Sequence, residues 1–140
     1  MSIVTYLEPF VSWATTQPDI EGVALVGSYA RGTATEDSDV DLMILTTDST
    51  RYLKNHDWLS LFGEVKESRN ETWGCVETVR ATYRTSFEIE YNFSAPSWAG
   101  IPIDSGTRRV VTDGIKILFD PKRKFDALQK ALLVEKVAPN

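Results

Sequence analysis

The chain has 140 residues, of which 42% are hydrophobic and 25% are charged, a composition typical of a globular domain with one hydrophobic core. The net charge of −5 argues against a protein that grips nucleic acid through a basic surface, and it favours a small or cationic substrate or a protein partner. No apolar run reaches the roughly 18–20 residues that span a bilayer, and the single cysteine excludes an internal disulfide. We therefore expect one cytoplasmic domain, residues 1–140, with no membrane or nucleic-acid partner.

The first half of the chain predicts helices that alternate with short apolar strands. Apolar residues recur at three- and four-residue steps near the N-terminus, which is typical of an amphipathic helix. In chain order, the pattern predicts a helix at Ile3–Ala14, a strand at Val23–Val26, a helical turn at Ser28–Arg31, a strand at Val40–Leu45 and a helix from Thr47 or Asp48 to about Phe62.

The second half predicts mainly strands, because apolar and polar residues alternate there. The predicted elements are strands at 76–83 and 87–93, a hairpin turn at Asp113-Gly114 between RRVVT and IKILF, and a helix that opens at Pro121 with Phe125, Leu128, Leu132 and Leu133 facing inward. This order predicts an α+β fold, a small mixed sheet with helices packed mainly on one face.

The stretch VALVGSYARGTATEDSDVDLMIL, residues 23–45, holds two buried strands around a Gly-Ser turn. A helical turn that opens at Gly27 and Ser28 offers backbone N–H groups to a phosphate, and glycine lets the ligand approach closely. Arg31 can add positive charge to a phosphate oxygen. An ion pair of Arg31 with Glu36 or Asp37 is the alternative interpretation.

Two aspartates precede and enter the second of these strands. Asp39 and Asp41 are spaced i, i+2 on a strand, so their side chains project from the same face. Two hard carboxylates side by side are suited to Mg²⁺, which often shares its oxygen ligands with substrate phosphates. The stretch thus predicts a phosphate cradle together with its metal ligands.

The segment GSYARGTATEDSDVDL resembles the signature of the DNA polymerase beta-like nucleotidyltransferase superfamily, in which Gly-Ser is followed after ten residues by Asp-x-Asp. The Arg31-Gly32 pair and the segment 38–42 resemble the minimal and small-substrate branches in particular. The resemblance implies a third carboxylate on a neighbouring strand, and SFEIEYNF offers Glu90, with Glu88 as the second choice. The family often has Asp at this position.

The resemblance also implies a mechanism. Asp39 and Asp41 would hold Mg²⁺ on the triphosphate of a nucleotide, and Glu90 would join them around a second ion about 3.5–4 Å from the first. Gly27 and Ser28 would fix the β- and γ-phosphates. An acceptor hydroxyl would attack the α-phosphate, and pyrophosphate would leave.

Segments beyond the motif resemble aminoglycoside nucleotidyltransferases, notably WLSLFGEVKES and VVTDGIKILFDP. The resemblance implies transfer of a nucleoside monophosphate, AMP from ATP in the first place, to a small and possibly aminoglycoside-like acceptor. Such enzymes often carry an additional helical domain that helps to bind the acceptor. In this protein a homodimer could supply that wall of the cleft. A minimal nucleotidyltransferase antitoxin that modifies a partner protein, and a nucleotide-binding module without turnover, are the alternatives.

Two further interpretations concern side chains outside the motif. Arg80 and Arg84 alternate on a predicted strand, and we interpret both as solvated because their face relative to Glu90 cannot be derived from the pattern. Cys75 and the tryptophans Trp58, Trp73 and Trp98 are interpreted mainly as packing residues.

Overall fold

The computed structural model describes residues 3–35, 38–85 and 87–137, with side chains described as far as residue 134. Five helices are described: α1 Ile3–Thr15, α2 Gly27–Arg31, α3 Thr50–Lys54, α4 Ser105–Asp113 and α5 Lys124–Val137. Six strands accompany them: β1 Ile20–Val26, β2 Val40–Thr46, β3 Val65–Trp73, β4 Val76–Tyr83, β5 Glu88–Ser94 and β6 Lys116–Phe119. Two 3₁₀ turns lie at Asp57–Leu61 and Pro96–Ala99.

The six strands form one mixed sheet in the order β3-β4-β5-β2-β1-β6. Only β2 and β5 pair in parallel, and every other pair is antiparallel. The predicted α+β class with a mixed sheet is therefore confirmed.

Helices cover both faces of the sheet, rather than mainly one as the sequence predicted. On the face that we call the aromatic face, α1, α3 and the first 3₁₀ turn pack against the sheet; this core includes Leu7, Phe10, Val23, Leu25, Ile44, Tyr52, Leu59, Tyr83, Tyr91 and Phe93. On the opposite face, the cavity face, the second 3₁₀ turn, α4 and α5 form a smaller core with Ala24, Val26, Met43, Leu45, Trp98, Val111, Phe125 and Leu128. The second layer was missed because α4 was not recognised as a helix.

The hairpin predicted at Asp113-Gly114 is wrong. The segment before it is helix α4, whose first turn is capped by the Asp104 carboxylate, which accepts a hydrogen bond from Gly106 N at 3.0 Å. Thr107 is fully buried and donates to the Trp98 carbonyl at 2.8 Å. Gly114, at a φ of 133°, ends the helix instead of turning a hairpin.

The long helix predicted to reach Phe62 is interrupted. Asn55 adopts an extended backbone, and its side chain accepts a hydrogen bond from Asp57 N at 2.8 Å, which starts the 3₁₀ turn. The last helix begins at Lys124, because the Asp120 carboxylate accepts hydrogen bonds from the first-turn N–H groups of Phe125 and Asp126.

On α5, Phe125 and Leu128 are buried as predicted, but Leu133 is 61% exposed and does not face inward. None of the described helices is long and apolar enough to cross a membrane.

A buried polar cluster joins the start of β1 to the end of β2. The Asp19 carboxylate accepts hydrogen bonds from Thr46 at 2.6 Å and from Tyr52 at 2.7 Å, and Arg51 pairs with it at 2.6 Å. Burial opposes ionisation of Asp19, but the hydrogen bonds from Thr46 and Tyr52 outweigh it and hold the pKa of Asp19 below its ordinary value.

We expect Asp19→Asn to lower the free energy of unfolding by about 1–3 kcal/mol at neutral pH, because charge-assisted hydrogen bonds become ordinary ones. Since the pKa of Asp19 is lowered on folding, its contribution is present above the pKa of the unfolded chain, near 4, and is lost as the pH falls through the folded-state value. Urea unfolding of both proteins from pH 3 to 7 measures this. An equal deficit of the variant at pH 3 and pH 7 would contradict the assignment.

Candidate active site

A band of charged residues crosses the cavity face on four neighbouring strands. The parallel register places Asp41 opposite Glu90, and the antiparallel register places Glu90 opposite Arg80 and Arg80 opposite Arg69. Asp39 lies just before β2, and Glu88 lies two residues before Glu90 on the same face. The sheet therefore brings together the predicted acids Asp39, Asp41 and Glu90, with Glu88 beside them.

Gly27 lies directly over the Asp41 carboxylate. Its φ of 72° is in the left-handed region, and a Cβ built there would collide with Asp41 Oδ2. Two independent constraints thus require glycine at this position: the backbone conformation and the close approach of Asp41. The predicted turn between the strands is confirmed as α2, which ends at Gly32 with a φ of 77°.

Asp41 has the least favourable surroundings for a charge in this band. Its Oδ1 is buried and has no hydrogen-bond partner. Burial, a hydrogen bond with Glu90 and the charges of Glu90 and Asp39 together raise the pKa of Asp41 to about 8. Burial and the charges of Glu88 and Glu90 also raise the pKa of Asp39. A cation at this position would relieve the repulsion and give Asp41 Oδ1 a partner.

Arg80 is the residue that the sequence analysis missed. The prediction that it is solvated is wrong, because its side chain is only 15% exposed and forms ion pairs with four carboxylates. Its Nη1 lies 3.2 Å from Asp39 Oδ2 and 2.9 Å from Glu88 Oε1, its Nη2 contacts Glu90 Oε1, and its Nε lies 3.0 Å from Glu71 Oε1. The one signal in the sequence was its position on an alternating strand next to an acidic one.

A cavity of about 650 Å³ opens beside the acids. Four of the predicted site residues line it, namely Gly27, Arg31, Asp41 and Glu90, whereas Ser28, Asp39 and Glu88 do not. The remaining walls come from the sheet, the β3–β4 turn, the second 3₁₀ turn and α4, and include Met43, Trp73, Cys75, Val76, Trp98, Asp104, Val110 and Asp113. The volume falls within the range of about 300–1,000 Å³ of small-ligand sites.

Several aromatic and sulfur side chains therefore border a cavity rather than only pack in a core. Trp73 is 60% exposed and Cys75 is exposed at the turn between β3 and β4. Trp98 is buried and makes an edge contact with Phe125, yet it also lines the cavity. The packing interpretation thus holds for Trp98, which is buried in the second core, and for Trp58, whose ring centroid lies 4.8 Å from that of Tyr91.

Two of the three residues predicted to bind phosphate on α2 line the cavity. Gly27 and Arg31 line it, and Ser28 is partly buried on the turn between them. Arg31 is exposed, and the alternative partners Glu36 and Asp37 lie outside the described residues.

Within residues 3–35, 38–85 and 87–137, no three acidic, histidine or cysteine side chains are arranged as a ready-made metal centre. The donor chemistry nevertheless fits Mg²⁺ at Asp39 and Asp41, because hard oxygens share one face and Asp41 Oδ1 lacks a partner. Glu90 already has a positively charged partner in the structure, because it forms an ion pair with the Arg80 guanidinium.

The structure thus places adjacent carboxylates beside a helical turn that begins at Gly27. A model of the nucleotidyltransferase domain matches residues 10–91, which is more than half of the chain, and the chain therefore belongs to that family. The family assignment confirms the superfamily predicted from the motif. The roles of the single residues stay predictions.

Solved structures with the same fold include an aminoglycoside 6-adenyltransferase from Bacillus subtilis, which matches 71% of this chain with a TM-score of 0.54 at 14% identity. A cytoplasmic RNA terminal U-transferase matches 65% of the chain at 26% identity and a TM-score of 0.45. The Cid1 poly(U) polymerase bound to MgATP matches 64% at 20% identity and a TM-score of 0.46. The chain covers 37%, 27% and 32% of these proteins respectively. Among curated protein sequences, no match was found.

We expect Gly27→Ala to destabilise the protein more than Gly32→Ala, its matched control. Both glycines have a positive φ, but a Cβ at Gly32 meets nothing within 4 Å. Backbone strain alone should cost Gly32→Ala about 1–2 kcal/mol, and displacement of Asp41 should add about 1–3 kcal/mol at Gly27. Denaturant unfolding measures both, and equal losses would contradict the close approach of Gly27 to Asp41.

We expect Asp41→Asn to stabilise the metal-free protein at pH 8 by about 1–2 kcal/mol, with allowance for the solvent that reaches the site. Because the pKa of Asp41 is raised on folding, ionisation penalises the folded state progressively as the pH rises from about 4 to about 8. The gain of the variant should therefore shrink at pH 5. Urea unfolding in chelator at both pH values measures it.

The control for this comparison is Asp57→Asn, which removes an exposed carboxylate from the 3₁₀ turn on the aromatic face. If Asp57→Asn raises the free energy of unfolding at pH 8 as much as Asp41→Asn does, the increase is an effect of net charge and not of the site.

Proposed function

We propose that the protein is a Mg²⁺-dependent nucleotidyltransferase that moves a nucleoside monophosphate, AMP from ATP, to a hydroxyl group of a small cationic acceptor. The observation that carries the proposal is the unpartnered, buried Asp41 Oδ1 beneath Gly27, at the edge of a cavity of about 650 Å³. The family to which the chain belongs supports the reaction class.

In this proposal, α2 binds the triphosphate. The absence of a side chain at Gly27 lets the Asp41 carboxylate lie against the first residue of the turn. The free N–H groups at the start of the turn donate to phosphate oxygens. The Ser28 hydroxyl adds a donor, and Arg31 brings a positive charge to the same part of the cavity.

Asp39 and Asp41 would hold Mg²⁺, with Glu90 as the third carboxylate. When bound, the ions would neutralise charge on the phosphates and lower the barrier to displacement at phosphorus. Glu90 is favoured over Glu88 because it stands opposite Asp41 in the register and lines the same cavity.

The proposed transfer is an in-line displacement at the α-phosphorus. The acceptor oxygen forms a bond to the α-phosphorus, the bond from that phosphorus to the α,β-bridging oxygen breaks, and pyrophosphate leaves. The proton of the acceptor hydroxyl passes to a Glu90 carboxylate oxygen. Positioning by the sheet contributes through proximity, since the carboxylates are carried on strands and not on loops.

The acceptor class is inferred from the cavity walls that α4 and two tryptophans form. Asp104 and Asp113 line it at the two ends of α4, and Trp73 and Trp98 add aromatic surface. Carboxylates and aromatic rings together suit a compact polycation, since both attract positive charge. The same carboxylates would repel the phosphates of a nucleic-acid acceptor.

We expect non-hydrolysable ATP to bind the wild-type protein in a Mg²⁺-dependent manner, with GTP, CTP and UTP analogues compared by calorimetry. Asp41→Ala should weaken this binding more than about 100-fold, because even residues that only support metal ligands change affinity by about 10–100-fold. Asp57→Ala, on the opposite face, should bind like wild type.

A second readout uses Cys75, which is the one cysteine of the chain and borders the cavity. Bound nucleotide should slow its alkylation in wild type but not in Asp41→Ala.

Transfer is then followed as pyrophosphate release with a panel of aminoglycosides, where Glu90→Gln should lose turnover and Glu88→Gln should retain it. Retained turnover in Glu90→Gln together with loss in Glu88→Gln would reassign the third carboxylate to Glu88. Nucleotide binding that neither Mg²⁺ nor Asp41→Ala affects would overturn the metal assignment.

A further inference from the structure

The Arg80 guanidinium has two kinds of partner. Its contacts with Asp39 Oδ2 and Glu90 Oε1 involve acids that the proposed function assigns to metal. Its contacts with Glu71 and Glu88, at 3.0 and 2.9 Å, involve acids outside that set. The guanidinium is thus anchored through Nε by Glu71, while Nη1, which Asp39 and Glu88 share, and Nη2 lie among the proposed metal ligands.

The charge distribution makes Arg80 the main source of positive charge for these acids. Asp39, Glu71, Glu88 and Glu90 all contact it, and burial leaves it 15% exposed. Arg69, directly opposite on β3, pairs with Glu71 and is 63% exposed. Asp41 is the acid of the band whose buried Oδ1 stays without a partner.

We propose that Arg80 is a resident counter-ion that competes with divalent metal for Asp39 and Glu90. The guanidinium occupies hydrogen-bonding positions that a cation would need, and a second positive charge close to the first raises the energy of both. Metal binding therefore requires Nη1 and Nη2 of Arg80 to leave Asp39 and Glu90, while Nε keeps its contact with Glu71.

A consequence follows for the order of binding. Without nucleotide, Arg80 lowers the metal affinity of the acids, so the free protein holds divalent cations weakly. The negative charges of a triphosphate offset the extra positive charge, so that metal and nucleotide bind together. This inference rests on the proposed metal-dependent transfer.

The test is the affinity of the nucleotide-free protein for Mn²⁺, used as a spectroscopic substitute for Mg²⁺ and measured by electron paramagnetic resonance and calorimetry. Arg80→Gln should bind Mn²⁺ at least about tenfold more tightly than wild type, since a neighbouring unit charge is removed. Arg69→Gln, the matched control, removes the same charge from the adjacent strand without touching Asp39 or Glu90, and should change the affinity less than about threefold.

Thermal unfolding gives a readout that does not depend on activity. In chelator, Arg80→Gln should melt at lower temperature than wild type, because the acids lose their counter-ion, and saturating Mn²⁺ should raise its melting temperature more than that of wild type. A variant that folds only with Mn²⁺ would support the proposal. A variant that stays unfolded at saturating Mn²⁺ would overturn it, since metal and guanidinium would then not be interchangeable.

Failure of this inference can be distinguished from failure of the proposed function. If Arg80→Gln binds Mn²⁺ no more tightly than wild type, while wild type still binds ATP analogue with Mg²⁺, Arg80 is a structural ion-pair partner and the metal site stands. If neither protein binds metal with or without nucleotide, the metal-dependent function and this inference both fall.

Discussion

The parallel pairing of β2 with β5 sets Asp41 beside Glu90, and the chemistry of the cavity face depends on this register. A shift of β5 by one residue would turn Glu90 into the hydrophobic core of the other face and leave Asp41 without its neighbour. The register is held from behind by aromatic packing, in which Phe93 stacks on Tyr52 at 4.9 Å between ring centroids and Tyr91 meets the edge of Trp58. Packing on the aromatic face therefore stabilises the sheet and offsets the repulsion between the carboxylates on the cavity face.

The two faces of the sheet differ in how their polar groups are satisfied. Behind the sheet, the Tyr83 and Tyr91 hydroxyls share a hydrogen bond of 2.9 Å, and Tyr83 also donates to the Leu59 carbonyl. On the cavity face, Asn92 is equally well satisfied, as it donates to the Leu42 carbonyl and accepts from Thr78. Among the buried side-chain oxygens and nitrogens that the structure describes, Asp41 Oδ1, one row away, is the one without a hydrogen-bond partner. Such a contrast within one sheet is typical of a ligand site and not of incomplete packing.

The parts of the site that are local in the sequence could be predicted from it, and the parts that depend on strand pairing could not. Gly27, Ser28, Asp39 and Asp41 fall within one strand–turn–strand unit, so their spacing alone brings them together. The role of Arg80 depends on which strand lies next to β5 and on the direction of that strand, which alternation of residue types does not reveal. The segment before Gly114 was misread for a related reason. Its β-branched valines favour a strand, but the cap at Asp104 and the buried hydrogen bond of Thr107 select a helix.

The β3 strand forms one edge of the sheet and is mostly exposed along its nine residues. An open edge can recruit a strand from another molecule, and charged side chains are the usual protection against such pairing. Here Lys66, Glu67, Arg69 and Glu71 carry charge of both signs along that edge, and the opposite edge strand, β6, has only four residues. Neither border of the sheet is suited to continue into a second copy. These two edges therefore favour helices or loops, and not an extended sheet, as the surface of any homodimer.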